Sequence, residues 1–266
     1  MSLPSHLSRA LVLLALAASP AQTADVTEPP SFDQFIVIPL RVHVLLADDL
    51  PEIDCHLTDA DLERIIGRVN TIWHVAGIHF GLESIVREQA ALPLWFRAYR
   101  DLEPRRRLPL GLYQLLLPIE SRRFEGLHVY YLHEFPVNGV YFGDDFALVQ
   151  ETSALRTVPG GIDEPIPRVT AHELGHALGL SHRQDRTNLL ASGTTGTLLN
   201  QAEVSLARSK ATRIAGALPI AELRKAVEAS DDLERARMLR GWLDQIPGLE
   251  NAQGEPAPSA LLRNSK

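Results

Sequence analysis

Residues 172–182 have the sequence His-Glu-Leu-Gly-His-Ala-Leu-Gly-Leu-Ser-His, which fits the pattern H-E-x-x-H-x-x-G-x-x-H. The pattern specifies five positions. At this chain's composition, the probability of a chance match somewhere along the chain is on the order of 10⁻⁴ or less. The pattern therefore indicates a metal site. The alternative, that three histidines merely lie near a helix end, does not explain the glutamate and the glycine that are also in place.

The spacing of these residues has a mechanical reason. His172 and His176 are four residues apart, so on an α-helix both imidazoles lie on one face and can reach one metal ion. Glu173 follows the first ligand and lies beside the metal, where it can take a proton from a metal-bound water. Gly179 accepts a positive φ, which lets the helix stop and the chain turn sharply. That turn would bring His182 back as a third ligand.

Three nitrogen ligands and one open position describe a catalytic zinc site, because a structural site would be closed by four protein ligands. Zinc lowers the pKa of bound water towards ~7 and polarises a carbonyl oxygen, and both effects suit peptide hydrolysis. A rival site would take its third ligand from a downstream acid such as Glu203, but His182 stands at the expected spacing. We therefore predict one catalytic Zn²⁺ bound by His172, His176 and His182, with Glu173 as the general base.

Residues 1–24 have the features of a secretory signal peptide. His6 and Arg9 precede an apolar run over residues 10–18, which is too short to cross a bilayer as a helix of ~20 apolar residues. Cleavage is expected after Ala21 or Ala24, and the alternative is a buried N-terminal helix. No other long apolar run occurs, so we expect a secreted or periplasmic protein without a membrane span.

Composition narrows the choice of partners. A hydrophobic content of 45% is sufficient for a real core, and the net charge of −7 gives no reason to expect nucleic acid as a partner. The single cysteine, Cys55, has no partner for an internal disulfide, so packing and metal would hold the fold, and a buried or idle thiol is expected. A group of arginines is interpreted as a solvated face rather than an anion-binding patch: Arg97, Arg100, Arg105, Arg106, Arg107, Arg122 and Arg123.

Hydrophobic periodicity predicts alternating strands and helices around the motif. A strand over 35–46 is followed by a long amphipathic helix that Thr58 caps and Gly77 ends. Further strands are predicted over 78–86, 127–132, 139–143 and 146–150, and helices over 92–99, 108–117, 198–213 and 219–245. Among the other histidines, His43, His128 and His133 fall in or at the end of strands, where a packed or exposed residue is commoner than a ligand.

The segment 139–143 is placed in sequence where an edge strand would border the metal cleft. An edge strand can hold an extended peptide by backbone hydrogen bonds, so we expect a peptide or protein substrate bound in an extended conformation. Asp144 and Asp145 follow this strand. They could bind calcium, but a solvated turn is the favoured interpretation.

The zinc motif, with the strand, long helix, two strands and edge strand before it, resembles the metzincin clan of zinc endopeptidases. This resemblance covers residues 35 to about 213 and implies an α+β zincin fold. Such a fold has a twisted, mostly parallel sheet with an antiparallel edge strand, a long backing helix, an active-site helix and a small C-terminal lobe beyond the cleft. The predicted organisation is 1–24 signal peptide, 25–34 leader, 35–215 catalytic domain, 216–245 helical extension and 246–266 disordered tail.

One departure from the metzincin pattern concerns the turn below the zinc, which carries a methionine in that clan. The only methionines here are Met1 and Met238, so neither can fill the position. Residues 188–193 stand at the right distance, and Leu190 is the predicted replacement. Leucine has a similar volume, and such swaps usually cost less than ~1.5 kcal/mol. There is also no tyrosine just after this turn, so an additional transition-state donor is not expected.

The function that the sequence favours is that of a secreted zinc metalloendopeptidase. Two alternatives remain open: a catalytically silent metal-binding or protein-interaction module of the same fold, suggested by the missing methionine, and a zinc amidase that acts on a non-protein amide. The retained Glu173 argues against the silent module, because a protein without turnover does not need the base.

Overall fold

The computed structural model describes residues 28–102 and 108–249 of the 266-residue chain. The predicted signal peptide, the three arginines at 105–107 and most of the predicted tail lie outside the described residues. Ile246 and Leu249, at the start of the predicted tail, are buried in an apolar cluster of the C-terminal helices. Among the described helices, none is long and apolar enough to cross a membrane.

The sheet is mostly parallel, with an antiparallel strand at one edge. Its strands lie in the order β2-β1-β3-β5-β4, in which β4 alone runs antiparallel to its neighbour β5. A two-residue strand, β6, pairs antiparallel with the start of β1. The strand bounds are β1 Ile36–Leu46, β2 Ile78–Gln89, β3 Leu127–Leu132, β4 Gly139–Gly143, β5 Phe146–Gln150 and β6 Leu218–Pro219. The predicted mostly parallel sheet with an antiparallel edge is confirmed.

The helices are α1 Asp59–Trp73, α2 Pro93–Leu102, α3 Pro165–Ala177, α4 Gln201–Ala211, α5 Ile220–Ala229 and α6 Leu233–Asp244. The predicted start of α1 is confirmed by a capping box, in which Thr58 and Asp61 satisfy each other's backbone N–H groups. After α1, a short 3₁₀ turn ends at Gly77 with a φ of 60°, a conformation that glycine adopts without strain. The apolar positions predicted for α1 are all buried: Leu62, Ile65, Ile66, Val69, Ile72 and Trp73.

Strand β1 separates two layers of the core because its side chains alternate between the faces of the sheet. Its even-numbered apolar residues, from Ile36 to Val44, pack in one cluster with the buried sides of α1, α3 and α4. On the other face, Phe35 and Val37 contact α5 and α6, while Leu45 packs with the segment around α2. Helices α1 and α3 therefore pack on the same face of the sheet and against each other, α1 beside β2 and α3 beside β4 and β5.

Two predicted helices differ from the structure. The segment 108–117 forms a 3₁₀ helix, Leu110–Leu116, and not an α-helix. The single helix predicted over 219–245 is two helices, α5 and α6, which end and begin around Ser230–Asp232. Asp232 accepts hydrogen bonds from the backbone N–H groups of Glu234 and Arg235. Asp232 therefore caps α6. A capping residue has an extended backbone, so the helix that was predicted to be continuous is interrupted there.

Candidate active site

Helix α3 carries the motif into the interior of the protein. Two prolines, Pro165 and Pro167, lie in its first turn, where their missing N–H groups cost little. The helix ends beside Leu178, and Gly179 has a φ of 80°. The backbone N–H of Leu180 then bonds back to the carbonyl of Gly175 at 2.9 Å. The chain therefore reverses after α3, which places His182 opposite the two helical histidines.

The three histidine side chains converge as the sequence predicted. The Nε2 atoms of His172, His176 and His182 are 3.2 Å apart in each of the three pairs. Three nitrogens at ~2.0–2.1 Å from a tetrahedral zinc ion would be about 3.3 Å from one another. The donor set therefore fits a zinc ion, and the group could bind a metal through three nitrogens on one side of it.

The other ring nitrogens of the two helical histidines hold the rings in orientation. Nδ1 of His172 lies 2.8 Å from the carbonyl oxygen of Leu189, and Nδ1 of His176 lies 2.8 Å from that of Leu180. A hydrogen on each Nδ1 donates to these carbonyls and leaves Nε2 free as an acceptor. Burial, with the nearby Arg168 charge, lowers the pKa of His172 to about 3, and burial also lowers the pKa of His176. Both shifts favour the neutral form of the ring, which a metal ligand requires.

Glu173 is buried beside this group, with 4% of its surface exposed. Burial raises the pKa of its carboxyl to about 8, against the lowering effects of a hydrogen bond from the Tyr141 backbone N–H and of the Arg168 charge. Strand β4 approaches it closely, since a Cβ added at Gly139 would lie 2.9 Å from Cγ of Glu173. A carboxyl in this environment can hold or release a proton near neutral pH.

Two of the three histidines, His172 and His182, border a cleft of about 410 Å³ together with Glu173. One wall is the start of the edge strand, Asn138 to Val140, and the other is the turn at Ser192 and Gly193. His172, Glu173 and His182 line the cleft between these walls. Substrate in this cleft would therefore lie along β4 and across the predicted metal site.

Glu203, the alternative third ligand, has other partners. Its carboxylate accepts hydrogen bonds from Arg183 at 2.6 Å and from Asn188 at 2.8 Å, and it completes the capping box of α4 with Asn200. Glu203 therefore fixes the segment after His182 to α4. The structure brings together His182, and not Glu203, with the two helical histidines.

The turn below the site contains Leu190, as predicted. Leu190 is fully buried, and a Cβ added at Gly175 of α3 would lie 3.3 Å from its Cδ1 and 3.4 Å from Cζ2 of Trp73. The leucine thus fills the space under the metal-binding turn of α3. No methionine among the described residues occupies this position.

Arg168, which the sequence analysis missed, supports the same turn. It lies four residues before His172 on α3 and is only 2% exposed. Its guanidinium donates to the carbonyl oxygens of Gly196 at 3.1 Å, Leu189 at 2.7 Å and Ala191 at 2.5 Å. A charged residue on the buried face of an apolar helix was the feature that could have revealed this role.

The other residues considered from the sequence lie away from the three histidines. His43 is buried in the sheet, where its Nδ1 bonds to Glu88 at 2.7 Å and its Nε2 to Nδ1 of His128 at 2.9 Å. Cys55 is a buried free thiol, as expected. Asp144 and Asp145 form an exposed turn with positive φ between β4 and β5. His133 belongs to a separate cluster with His56 and Glu151.

Replacing Leu190 with methionine should have little effect. The two side chains have similar volumes, so we expect Leu190→Met to change the free energy of unfolding by less than ~1.5 kcal/mol. Leu190→Ala, in contrast, should cost about 2–5 kcal/mol because it opens a cavity under α3. Chemical denaturation of both variants measures this difference. A large loss of stability in Leu190→Met would show that the turn is shaped specifically around leucine.

Comparison with known proteins relates part of the chain to a family of zinc peptidases. Residues 120–215 match the family model of the matrixins, Peptidase_M10. The match extends from the approach to β3 through the three histidines and the Leu190 turn to just beyond α4. No curated protein matches the chain. With the histidine geometry and the mostly parallel sheet, this match over part of the chain supports a zinc metallopeptidase domain of the metzincin clan.

Proposed function

We propose that the protein is a secreted zinc-dependent endopeptidase that cleaves peptide bonds in extended substrates. The observation that carries the proposal is the convergence of three Nε2 atoms, 3.2 Å apart, beside the buried Glu173. His172, His176 and His182 would hold one zinc ion, and Glu173 would be the general base.

A zinc ion held by these imidazoles would lower the pKa of water towards ~7 and polarise the scissile carbonyl. Glu173 is placed to take the proton of the attacking water and to pass it to the leaving amine. The Tyr141 backbone N–H lowers the pKa of the Glu173 carboxyl, which places strand β4 beside the proposed base. Its buried position keeps bulk water from competing for the proton.

Substrate binding is proposed along β4. One edge of β4 pairs with β5, and its other edge has no strand partner among residues 28–102 and 108–249. A peptide in extended conformation could add to that free edge through backbone hydrogen bonds. Gly139 fits this arrangement, because the strand and Glu173 are too close there for a larger residue. Cleavage at internal peptide bonds is the part of the proposal that rests on this extended mode of binding.

Secretion is proposed from the sequence of residues 1–24. The basic start, the short apolar run and the small residues at Ser19 and Ala21 support it.

For the domain organisation of the rest of the chain, we propose a catalytic domain over 35–215 and a helical extension over 216–245. The extension packs against the start of β1 through Ile220, Leu223 and Trp242.

The proposal is tested by incubating the purified protein with a mixed peptide library, with and without a zinc chelator. We expect cleavage at internal peptide bonds that stops in the chelator and returns when Zn²⁺ is added back. Products that lose only terminal residues would contradict endopeptidase action. Zinc binding without any cleavage would instead favour the silent module, and hydrolysis of non-peptide amides alone would favour the amidase.

A further inference from the structure

A second cluster of metal-ligating side chains lies where three parallel strands end. His56 follows β1 in the loop to α1, His133 follows β3, and Glu151 follows β5. Because β1, β3 and β5 are parallel neighbours in the sheet, their carboxyl ends meet at one edge. Residues far apart in sequence are therefore brought together by the same sheet that positions α3.

Backbone hydrogen bonds fix the three segments to one another. The N–H of Cys55 bonds to the carbonyl of Leu45 at 2.9 Å, and that of Glu151 bonds to Leu132 at 2.9 Å. The N–H groups of His133 and Glu134 bond to the carbonyls of Ile53 and Glu52 in the loop after β1. The cluster is thus built on ordered backbone, as a binding site requires.

Two imidazoles converge on one carboxylate oxygen. Nδ1 of His56 lies 2.9 Å from Oε1 of Glu151, and Nδ1 of His133 contacts the same oxygen. The other oxygen, Oε2, accepts from the backbone N–H of His56 at 2.7 Å and from the Cys55 thiol at 3.1 Å. Both ligand nitrogens and the carboxylate oxygen lie within 4.8 Å of one another.

A carboxylate also lies near the second ring nitrogen of each imidazole. Nε2 of His56 lies 3.6 Å from Oδ2 of Asp54, and Nε2 of His133 lies 4.0 Å from Oε1 of Glu134. Histidines that bind a metal through one nitrogen usually direct the other towards a carboxylate, a carbonyl or water, which fixes the tautomer and strengthens the ligand. Neither distance is short enough for a direct hydrogen bond, so Asp54 and Glu134 contribute negative charge beside the two rings.

We propose that His56, His133 and Glu151 form a second binding site for a divalent transition-metal ion such as Zn²⁺. Two imidazole nitrogens with one carboxylate oxygen suit zinc and its neighbours, whereas calcium requires oxygen ligands. The acidic groups Asp54 and Glu134 add negative charge around the cation. His56 has 64% of its side chain exposed, so solvent can reach the site and water can supply the remaining ligand.

A metal ion at this site would stabilise one wall of the cleft. Gln150 adjoins Glu151, and its backbone N–H and side-chain amide donate to the backbone and side-chain oxygens of Asn138, each at 3.0 Å. Asn138 directly precedes β4 and lines the cleft. The ion would therefore tie the loop after β1 to the segment that leads into the edge strand.

The test is a zinc titration of the tag-free, metal-stripped full-length protein, with bound metal measured after gel filtration. We expect two equivalents in the wild type and one in His56→Ala or Glu151→Gln, in which affinity at the second site should fall by at least ~100-fold. The double variant His172→Ala/His176→Ala should also retain one equivalent. His74→Ala, which removes a partly exposed histidine elsewhere, is the control and should retain two.

Circular dichroism and the midpoint of thermal unfolding separate loss of the ligand from loss of the fold. His56 is largely exposed and Gln is an isostere of Glu, so the two single variants should remain folded without added metal. Zn²⁺ beyond one equivalent should raise the thermal midpoint of the wild type and not that of His56→Ala. A wild type that binds a single equivalent, or a double variant that binds none, would overturn the second site while leaving the proposed peptidase intact.

Discussion

Glu173→Gln should abolish peptide hydrolysis while the protein still binds zinc. General acid–base catalysis contributes about 10²–10⁴-fold to a rate, so we expect kcat to fall by roughly 10³-fold or more. The variant should not lose stability, because burial already disfavours the charged form of this side chain and raises its pKa to about 8. Glutamine keeps the shape and can still accept the hydrogen bond from the Tyr141 backbone N–H.

Three measurements separate this role from a structural one. Peptide cleavage, bound zinc and the thermal midpoint are compared in the wild type, in Glu173→Gln and in Glu63→Gln, which changes an exposed residue of α1. We expect only the first quantity to change, and only in Glu173→Gln. Cleavage at the wild-type rate in that variant would refute the general-base role. Loss of zinc would mean that Glu173 organises the metal site and would leave its role in proton transfer without support.

Local sequence patterns predicted most of the fold around the site. The four-residue spacing of His172 and His176, the glycine at 179 and the caps of α1 act over single turns of chain, so their effects can be inferred without tertiary structure. The break between α5 and α6 was missed because the helical spacing of apolar residues continues across it. An aspartate such as Asp232 can either continue a helix or cap a new one, and the apolar pattern does not distinguish the two.

The features that were missed depend on long-range packing. His133 was considered from the sequence, but its partners His56 and Glu151 could not be identified before the strand order was known. The contact of Gly139 with Glu173 likewise depends on how β4 packs on α3. Arg168 is marked in the sequence as a charged residue on an apolar helix, but its partners are carbonyl groups, which every residue carries, so its contacts could not be identified without the structure.

Arg168→Met should destabilise the protein and weaken zinc binding together. The guanidinium donates to the carbonyl oxygens of Leu189, Ala191 and Gly196, in the segment that contains the Leu190 turn. Methionine can fill part of the space but donates nothing, and each buried polar group left without a partner costs about 1–3 kcal/mol. Part of this cost is offset because burial of the arginine charge is itself unfavourable and lowers its pKa to about 10. We expect a net loss of about 3 kcal/mol, or roughly 6–12 °C in the thermal midpoint.

The effect on zinc follows from Leu189, whose carbonyl oxygen accepts from both Arg168 and Nδ1 of His172. Losing the guanidinium frees this carbonyl to move, and a disturbed outer partner of a metal-binding histidine typically lowers affinity by 10–100-fold. Competition with a chelator measures the affinity, and thermal unfolding of the metal-free protein measures the stability separately. Arg156→Met, an exposed substitution in the loop before α3, is the control. A midpoint and an affinity that both stay at wild-type values in Arg168→Met would mean that the turn holds His172 without the arginine.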